Sequence, residues 1–303
     1  MMSYINRLIS ICEECKCSYL LNEPLKKHTT FKVGGLCRIM ISVNDTASLM
    51  KIVAFLCKNG IRYAVLGNGS NIIADDEGFD GVILLFGNDF SKIRFFADNY
   101  IECEAGASLS KLCAAALEKS LTGLEFAWGI PGTVGGALYM NAGAYGGEMS
   151  DVVLCAEFID ENGELKIYSS SLLELSYRHS VFSDSGKIIT RVMLSLKKGD
   201  YEQIKARMNE LMQKRKDKQP LEYPSAGSTF KRPDGAFASA LIEQCGLKGA
   251  SVGGAEVSRK HSGFIVNKSS ATSEDILKLV DVVKKKVLED TGFTLELEPK
   301  ILK

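Results

Sequence analysis

Two glycine-rich segments carry the clearest chemical signal in this sequence of 303 residues. Glycine lets the main chain approach a ligand closely, and successive backbone N–H groups can form a concave site for an anion. The segment 129–147 therefore leaves room for a flat or charged ligand to lie against main chain. Together the two segments predict a bound cofactor that carries phosphate. The other segment, which follows the apolar run 61–66, consists of Gly67, Asn68, Gly69, Ser70 and Asn71.

Neither segment has the spacing of the common nucleotide-binding motifs. Position 72 is Ile, where the dinucleotide motif GxGxxG beginning at Gly67 requires glycine. The Gly-Lys-Ser/Thr that ends a Walker A loop occurs nowhere in the chain. A phosphate-bearing cofactor would therefore be held by a different kind of loop.

The balance of charges excludes several classes of function. The 37 Lys and Arg residues equal the 37 Asp and Glu residues in number, so the net charge is zero. A nucleic-acid binder needs surplus cations to neutralise phosphates, and we predict no nucleic-acid partner. No segment approaches the ~18–20 consecutive apolar residues that cross a bilayer, and the first residues lack the pattern of a signal peptide. We expect a cytoplasmic protein without membrane insertion.

The nine cysteines are an odd number, and most of them lie in apolar contexts. Buried, reduced thiols are the expectation for a reducing compartment. Cys12, Cys15 and Cys17 include a CxxC pair, but a zinc site needs a fourth ligand and usually a second pair. We predict no metal site and interpret these three residues as surface cysteines of an N-terminal helix.

The hydrophobic pattern predicts a mixture of helices and strands. A helix over 45–60 has apolar residues at i, i+3, i+4 and i+7, and Ser108 is a candidate N-cap for a second helix. Thr272 and Asp275 indicate the start of a last helix, which Gly292 ends. Strands are predicted over 61–66, 81–86, 92–97, 100–104, 152–159, 164–168 and 187–196.

The character of the chain changes near 200, where a charged helix over 201–218 begins. We place a domain boundary at the start of this helix. The helix ends in a basic run, 214–218, before Pro220. Such cations suit the C-terminal end of a helix dipole and would lie in solvent, or they would contact a phosphate. Both interpretations stay open.

Six motifs occur together in an order that resembles one protein family. That family is the UDP-N-acetylenolpyruvoylglucosamine reductases, flavin enzymes that make UDP-N-acetylmuramate for bacterial peptidoglycan. Each motif alone is a weak signal, but the ordered set is specific. The motifs are Thr29-Thr-Phe-Lys-Val-Gly-Gly35, Leu66-Gly-Asn-Gly-Ser-Asn71, Gly129-Ile-Pro-Gly-Thr-Val-Gly-Gly136, Asn141-Ala-Gly-Ala-Tyr145, Tyr177-Arg-His-Ser180 and Gly227-Ser-Thr-Phe230.

The resemblance implies an α+β fold with an FAD-binding unit of the vanillyl-alcohol-oxidase type over 1–200. Its subdomains would cover about 1–75 and 76–200, and a smaller α+β substrate domain would cover 201–303. The chain is similar to the shorter members of the family, which lack a tyrosine-bearing lid loop, and we expect a monomer. FAD would be bound non-covalently, its pyrophosphate by the first glycine loop and its flavin by the second. The implied FAD-binding residues are Gly67, Asn68, Gly69, Ser70, Asn71, Gly129, Ile130, Pro131, Gly132, Thr133, Gly135, Gly136, Asn141, Ala142 and Gly143.

The reaction that the resemblance implies has two halves. NADPH, the co-substrate, passes a hydride to flavin N5, and UDP-N-acetylglucosamine enolpyruvate then takes that hydride and is protonated. By the motif matches, Arg178 would stabilise the enolate-like intermediate, Ser228 would donate the proton and Glu298 would act with Arg178. Alternation along a strand would put Glu296 on the same face as Glu298, so spacing alone does not separate the two glutamates. Further candidates for substrate contacts are Tyr177, Lys214, Arg215, Lys231, Lys248 and His261.

Two other functions fit the glycine loops. One is a flavin oxidase on the same fold, which would use O₂ and would give Ser228 no role. The other is a nucleotide-binding protein without activity, in which Arg178, Ser228 and Glu298 are ordinary surface residues. The visible spectrum of the purified protein, before and after NADPH and the enolpyruvyl substrate, separates the three.

Overall fold

The computed structural model describes residues 2–97 and 99–303. It contains helices and strands in mixed order along the whole of that range. No helix among the described residues is both long enough and apolar enough to span a membrane. The helices are α1 (Met2–Glu14), α2 (Thr46–Lys58), α3 (Leu109–Glu118), α4 (Val134–Tyr139), α5 (Tyr201–Lys218), α6 (Ala238–Gln244) and α7 (Ser273–Thr291).

The strands are short, and most of them belong to antiparallel pairs. They are β1 (Tyr19–Pro24), β2 (Leu36–Val43), β3 (Tyr63–Leu66), β4 (Ile72–Ala74), β5 (Phe79–Phe86), β6 (Ile93–Phe96), β7 (Tyr100–Glu104), β8 (Leu121–Thr122), β9 (Gly143–Ala144), β10 (Gly147–Glu148), β11 (Val153–Ile159), β12 (Leu165–Ser169), β13 (Ile188–Ser195), β14 (Lys197–Lys198), β15 (Ser251–Val252), β16 (Ala255–Val257), β17 (Ile265–Asn267) and β18 (Lys300–Leu302). The seven strands predicted between residues 61 and 196 are present, with shifts of one or two residues at their ends.

The chain forms two compact units, each assembled from separate segments. Unit 1 comprises Met1–Leu21, Ile39–Asn68 and Gly81–Gln213. Unit 2 comprises Asn22–Arg38, Gly69–Asp80 and Lys214–Lys303. The domain boundary that the sequence predicts near residue 200 stays a prediction.

Unit 1 is organised around an antiparallel sheet of order β12-β11-β13-β7-β6. The helix α4 packs against β7 and β13 of this sheet. Phe158 of β11 makes edge-to-face contacts with Tyr168 and Phe182, at centroid distances of 4.7 and 5.3 Å. A second sheet, of order β1-β2-β5-β3, contains the parallel pair β3 and β5.

The helix ends of unit 1 follow from local sequence. The side chain of Asp45 accepts a hydrogen bond from the Ser48 amide at 2.7 Å and so caps α2. Ser108 caps α3 in the same way, through the Lys111 amide at 3.2 Å. Gly60, which follows α2, has a φ of +60° and can end the helix in the left-handed region. The predicted cap at Ser108 is confirmed.

Unit 2 is built on α7, which buries one face against the small sheet β15-β16-β17 and against α6. The buried face of α7 consists of residues spaced three and four apart, which is the pattern of an amphipathic helix. Thr272 and Asp275 form the predicted capping box, and Gly292 ends the helix with a φ of +77°. The parallel pair β4 and β18 joins the segment 69–80 to the end of the chain. The buried face is Ser273, Ile276, Leu279, Val280, Val283 and Val287.

The expectation of surface cysteines at the N-terminus is wrong. The side chains of Cys12 and Cys17 are buried, and α1 ends at Glu14, before Cys15 and Cys17. Burial raises the pKa of the Cys12 thiol to about 12, so it stays protonated at neutral pH. These thiols belong to the core because two helices, α1 and α2, pack together there. Cys57 is exposed, against the expectation of buried thiols.

Asp275 holds the start of α7 to the neighbouring turn of unit 2. Its carboxylate accepts hydrogen bonds from the backbone N–H groups of Thr272, at 3.1 Å, and Gly254, at 3.2 Å. These bonds stabilise the charged form and lower the pKa of Asp275. A Cβ atom at Gly253 would lie 2.2 Å from Asp275 Oδ1, so only glycine fits beside the carboxylate.

We predict that Asp275→Asn lowers the free energy of unfolding by about 0.5–2 kcal/mol at pH 7, the usual range for a lost cap. Because the pKa of Asp275 is lower in the folded than in the unfolded chain, its contribution is complete above about pH 4 and disappears as the pH falls through the folded-state pKa. Urea denaturation of wild type and variant should therefore show a difference that shrinks in acid. Asp281→Asn, an exposed change on the same helix, is the control. A difference that does not depend on pH would contradict the assignment.

Candidate active site

Gly67 and Asn68 are fastened to the second glycine segment within unit 1. Asn68 Nδ2 donates a hydrogen bond to the Pro131 carbonyl at 2.9 Å. A Cβ atom at Gly67 would lie 2.5 Å from Thr133 Oγ1, so the two segments touch there. Thr133 in turn caps α4, by accepting from the Gly136 amide at 3.3 Å. The two segments that the sequence singles out are therefore neighbours.

These loops leave main-chain donors available to a ligand. Within residues 2–97 and 99–303, the amides of Asn68, Gly132 and Thr133 donate to no acceptor. Gly136 is exposed, and a Cβ atom there would lie no closer than 3.4 Å to any neighbour. An accessible glycine face beside unused N–H groups fits an anionic ligand.

Gly69 is a glycine for a different reason from the one that the sequence indicates. Its φ is +60°, and a Cβ atom there would lie 2.1 Å from the carbonyl oxygen of His28. The Gly69 carbonyl accepts from the Thr30 amide at 3.2 Å. Close packing within unit 2 is thus sufficient to require glycine at this position, with or without a ligand.

Asn141 connects the second glycine segment to the loop that carries Arg178. Its side chain is fully buried, and its φ is +41°. Asn141 Nδ2 donates to the Ser176 carbonyl at 3.0 Å, while Oδ1 accepts from the Ser150 amide at 2.9 Å. A buried amide that uses both ends in this way fixes the two loops against each other.

Arg178 lies at the third position of a tight turn in unit 1. Ser176 and His179 exchange two backbone hydrogen bonds, of 3.2 and 3.1 Å, across the turn. Arg178 has a φ of +55°, a region that costs a non-glycine residue about 1–2 kcal/mol. Its guanidinium lies 5.0 Å from the centre of the Tyr177 ring and 3.4 Å from the Gly143 carbonyl. The half-buried guanidinium is therefore held at a strained position by its surroundings.

Ser228 lies in unit 2 on a loop that its neighbours hold firmly. Thr229, which is buried, donates its amide to the Gly263 carbonyl at 2.8 Å and accepts from the Ile265 amide at 2.9 Å. Thr30 Oγ1 donates to the Ser225 carbonyl at 2.6 Å. The side chain of Ser228 itself is exposed, next to these buried anchors. The loop therefore presents a single hydroxyl at a defined place.

Glu298 is brought next to this loop by main-chain pairing. Its amide donates to the Thr229 carbonyl at 2.9 Å, and its carbonyl accepts from Asn71 Nδ2 at 3.5 Å. The predicted strand is absent here: only one bridge, between Phe230 and Leu297, is formed. Ser228 and Glu298 are thus brought together in unit 2, and Arg178 belongs to unit 1.

Glu296 and Glu298 have different surroundings, although their spacing along the chain does not show which one is functional. Glu296 has a side chain that is 70% exposed and pairs with Lys231 at 3.2 Å. Glu298 is half-buried. An exposed ion pair contributes little, so the Glu296 carboxylate has an ordinary surface role. The two carboxylates therefore differ in burial and pairing, and the choice of Glu298 as the functional carboxylate stays a prediction.

The basic candidates fall into different environments. Lys248 pairs with Glu243 at 2.6 Å, and Lys231 with Glu296. Lys214 is exposed, whereas Arg215 is buried, with 6% of its surface accessible. The basic run is therefore not simply a solvated helix end, because Arg215 turns inwards.

His261 has the features of a structural histidine. Its Nδ1 accepts from the Gly263 amide at 3.1 Å, and its ring packs edge-on against Phe264 at 5.0 Å. Burial lowers the pKa of His261, so the ring is neutral at pH 7. No group of three or more His, Cys, Asp or Glu within residues 2–97 and 99–303 is placed to hold a metal.

Three positioning residues were missed at the sequence level. Thr30 and Thr229 lie inside the quoted motifs, but nothing in their type distinguishes a buried anchor from a solvent-facing threonine. Ser176, which precedes the Tyr177 motif, closes the turn and accepts from Asn141. The only signals were the motif that contains Thr30 and the position of Ser176 and Thr229 near candidate catalytic residues.

Comparison with known proteins agrees with the geometry. A model of the C-terminal domain of UDP-N-acetylenolpyruvoylglucosamine reductase matches residues 219–302, and a model of an FAD-binding domain matches 38–169. A UDP-N-acetylenolpyruvoylglucosamine reductase from Caldanaerobacter subterraneus is 47% identical over 300 residues, which are 98% of this chain and 97% of the relative. The chain belongs to this reductase family. A second reductase, from Clostridium novyi, is 48% identical over 93% of this chain and 91% of its own.

Solved structures support the same assignment for this reductase. The crystal structure of UDP-N-acetylenolpyruvylglucosamine reductase from Thermus caldophilus matches with a TM-score of 0.79 and 36% identity, over 95% of this chain and 99% of that one. A Phl p 4 variant described as a glucose oxidase reaches a TM-score of 0.50 at 14% identity, over 66% of this chain and 44% of that one, and shows the fold alone. The predicted α+β fold with an FAD-binding unit is confirmed, and FAD is the cofactor of this flavoprotein.

Proposed function

We propose that the protein reduces UDP-N-acetylglucosamine enolpyruvate to UDP-N-acetylmuramate with NADPH as the co-substrate. The observation that carries this proposal is the pairing of the Glu298 amide with the Thr229 carbonyl, because it sets a carboxylate beside the Ser228 loop. The reductase relatives support the substrate by their names. The proposal assigns the cell-wall precursor pathway to this chain.

Bound FAD supplies hydride transfer, which no side chain can perform. Asn68, Gly132 and Thr133 would hold it through their free amides, and the open face of Gly136 would lie against it, an arrangement that fits an anionic cofactor. The remaining proposed FAD contacts are those of the two loops and of 141–143. Asn141 would act on the cofactor indirectly, because both ends of its amide are engaged within the protein.

Arg178 would stabilise the negative charge that develops on the enolpyruvyl group. A guanidinium stays charged at every physiological pH and can bind a carboxylate through two parallel hydrogen bonds. The turn and the Gly143 carbonyl hold it before substrate binds, so little reorganisation is needed. Tyr177, whose ring lies against the guanidinium, would help to orient it.

Ser228 would donate the proton to the carbon next to the substrate carboxylate. A serine hydroxyl is a weak acid in water, so the step requires a nearby positive charge and a route that returns the proton. Glu298 would act with Arg178 on the substrate carboxylate. The proposed contacts to the UDP part are Lys214, Arg215, Lys231, Lys248 and His261, which belong to unit 2.

Substitution of Gly136 tests how FAD is held. Gly136→Leu should weaken FAD binding about tenfold or more, a loss of ~1.4 kcal/mol, because a large side chain would fill the open face. Gly136→Ala adds a single methyl group at ordinary contact distance and serves as the matched control. FAD affinity is measured by fluorescence titration of the apoprotein, and thermal unfolding of both apoproteins should match wild type. Wild-type affinity in the leucine variant would exclude this face as a cofactor contact.

Replacement of Ser228 separates the two halves of the reaction. Ser228→Ala should leave bleaching of the flavin by NADPH intact and slow its reoxidation by the enolpyruvyl substrate about 10²–10⁴-fold. Stopped-flow absorbance with each substrate in turn measures both rates. Ser225→Ala, which removes a hydroxyl from the same loop, is the control. Equal slowing of both halves would show that Ser228 positions the site and donates no proton.

The two neighbouring glutamates provide an internal comparison. Glu298→Gln should lower kcat strongly with FAD still bound, because a carboxylate near the substrate is lost. Glu296→Gln should change stability by no more than about 1 kcal/mol and leave kcat unchanged, since it breaks only an exposed ion pair. Steady-state kinetics of the two variants shows which carboxylate is needed for turnover. If Glu296→Gln is the damaging change, the assignment of Glu298 is wrong.

A further inference from the structure

A cleft of about 710 Å³ opens in unit 2, apart from every residue assigned so far to cofactor or substrate. Its volume lies within the range of about 300–1,000 Å³ that is usual for small-molecule sites. Three walls come from separate segments of unit 2, around residues 26–35, 223–224 and 267–272, and Asp76 comes from a fourth segment. The polar side chains that line it include Lys26, Lys32, Asp76, Tyr223, Asn267 and Lys268.

The charge in this cleft is positive. Three ammonium groups line it, against the single carboxylate of Asp76. That carboxylate already accepts from Ser273 Oγ at 2.8 Å and from the Glu274 amide at 3.2 Å, at the start of α7. The positive end of the helix therefore balances Asp76, and this carboxylate is not a free counter-charge for the lysines.

Two of the lysines have no partner of their own. In the part of the chain that the structure describes, Lys26 and Lys32 make neither a hydrogen bond through the side chain nor an ion pair. Lys27, next in the chain, pairs with Glu23 at 3.4 Å and does not line the cleft. The cations that face the cleft are thus the ones left without a counter-charge.

Hydrogen bonds hold the walls of the cleft in place near the lysines. Lys32 has a φ of +60°, a strained conformation for a lysine, and its amide donates to the Thr29 carbonyl at 3.3 Å. Asn267, which is 8% exposed, donates to the Phe31 carbonyl at 3.1 Å and accepts from the Ala271 amide at 2.8 Å. Its own amide donates to the Pro224 carbonyl at 2.8 Å. One buried side chain and its backbone therefore join all three walls.

We propose that this cleft binds a small anion that carries phosphate groups, at a site separate from the active site. Ammonium groups bind phosphate as point charges, and three of them suit a ligand with more than one negative charge. The ammonium of Lys268 is held over the Tyr223 ring, 3.9 Å from its centre, and bonds the Tyr223 hydroxyl at 2.5 Å. That lysine is therefore placed before the ligand arrives.

Calorimetric titration of the FAD-loaded full-length protein with inorganic pyrophosphate tests the site. Lys26→Gln combined with Lys32→Gln should weaken binding at least tenfold, which corresponds to ~1.4 kcal/mol. Lys27→Gln, the adjacent lysine that pairs with Glu23, should bind pyrophosphate as wild type does. Because none of the three residues is assigned to the reaction, all variants should keep wild-type turnover. Absence of heat with wild type, or equal binding by the double variant, overturns the proposal.

A second titration distinguishes this site from the active site. Pyrophosphate binding is repeated in the presence of saturating UDP-N-acetylmuramate, the product of the proposed reaction. Unchanged affinity supports a separate site, whereas loss of binding overturns the claim of separateness. ADP is then compared with pyrophosphate: tighter binding of ADP assigns the cleft to a nucleotide, and equal binding assigns it to a free diphosphate. Failure of the proposed reaction would leave the first titration valid, because it uses neither turnover nor an active-site ligand.

Discussion

Close packing around the loop 67–71 is the constraint on which the rest of the site depends. Within unit 1, Gly67 lies against Thr133, and Asn68 bonds the Pro131 carbonyl. Within unit 2, Gly69 lies against the His28 carbonyl, and the segment after it reaches Glu298 through Asn71. One short loop therefore supports both the second glycine segment and the carboxylate loop. A single added methyl group would clash with Thr133 at Gly67 and with the His28 carbonyl at Gly69.

This packing changes how the glycines of the two loops are interpreted. A glycine-rich loop is usually interpreted as a place where a ligand approaches main chain, and position 136 has that character. At positions 67, 69 and 135 the space that a Cβ would need is taken by protein atoms. The glycines of these loops first allow the protein to pack against itself. The part of the loops that we propose to face the cofactor is then small and well defined.

Buried polar residues have a similar function at three places. Asn141, Thr229 and Asn267 each use side-chain and backbone groups to hold separate segments together. Such residues are costly to bury unless every hydrogen bond is made, so they fix one arrangement rather than several. Arg178 at its positive φ and Ser228 on its exposed loop depend on this support. The family assignment explains why such residues are present, and the hydrogen bonds explain how they act.

The sequence by itself determined the family, the fold class, the approximate bounds of the seven strands that it predicts, and the caps at Ser108 and Thr272. These features depend on local rules: apolar periodicity, a capping side chain such as Ser108 or Thr272, and ordered motifs. Only the tertiary structure showed that Glu296 is exposed and Glu298 half-buried, placed Arg215 in the interior and buried Cys12 and Cys17. It also assembled the cationic cleft from segments that are distant in sequence. The reason is physical: burial and pairing depend on which distant residues occupy the neighbouring space, and spacing along the chain does not contain that information.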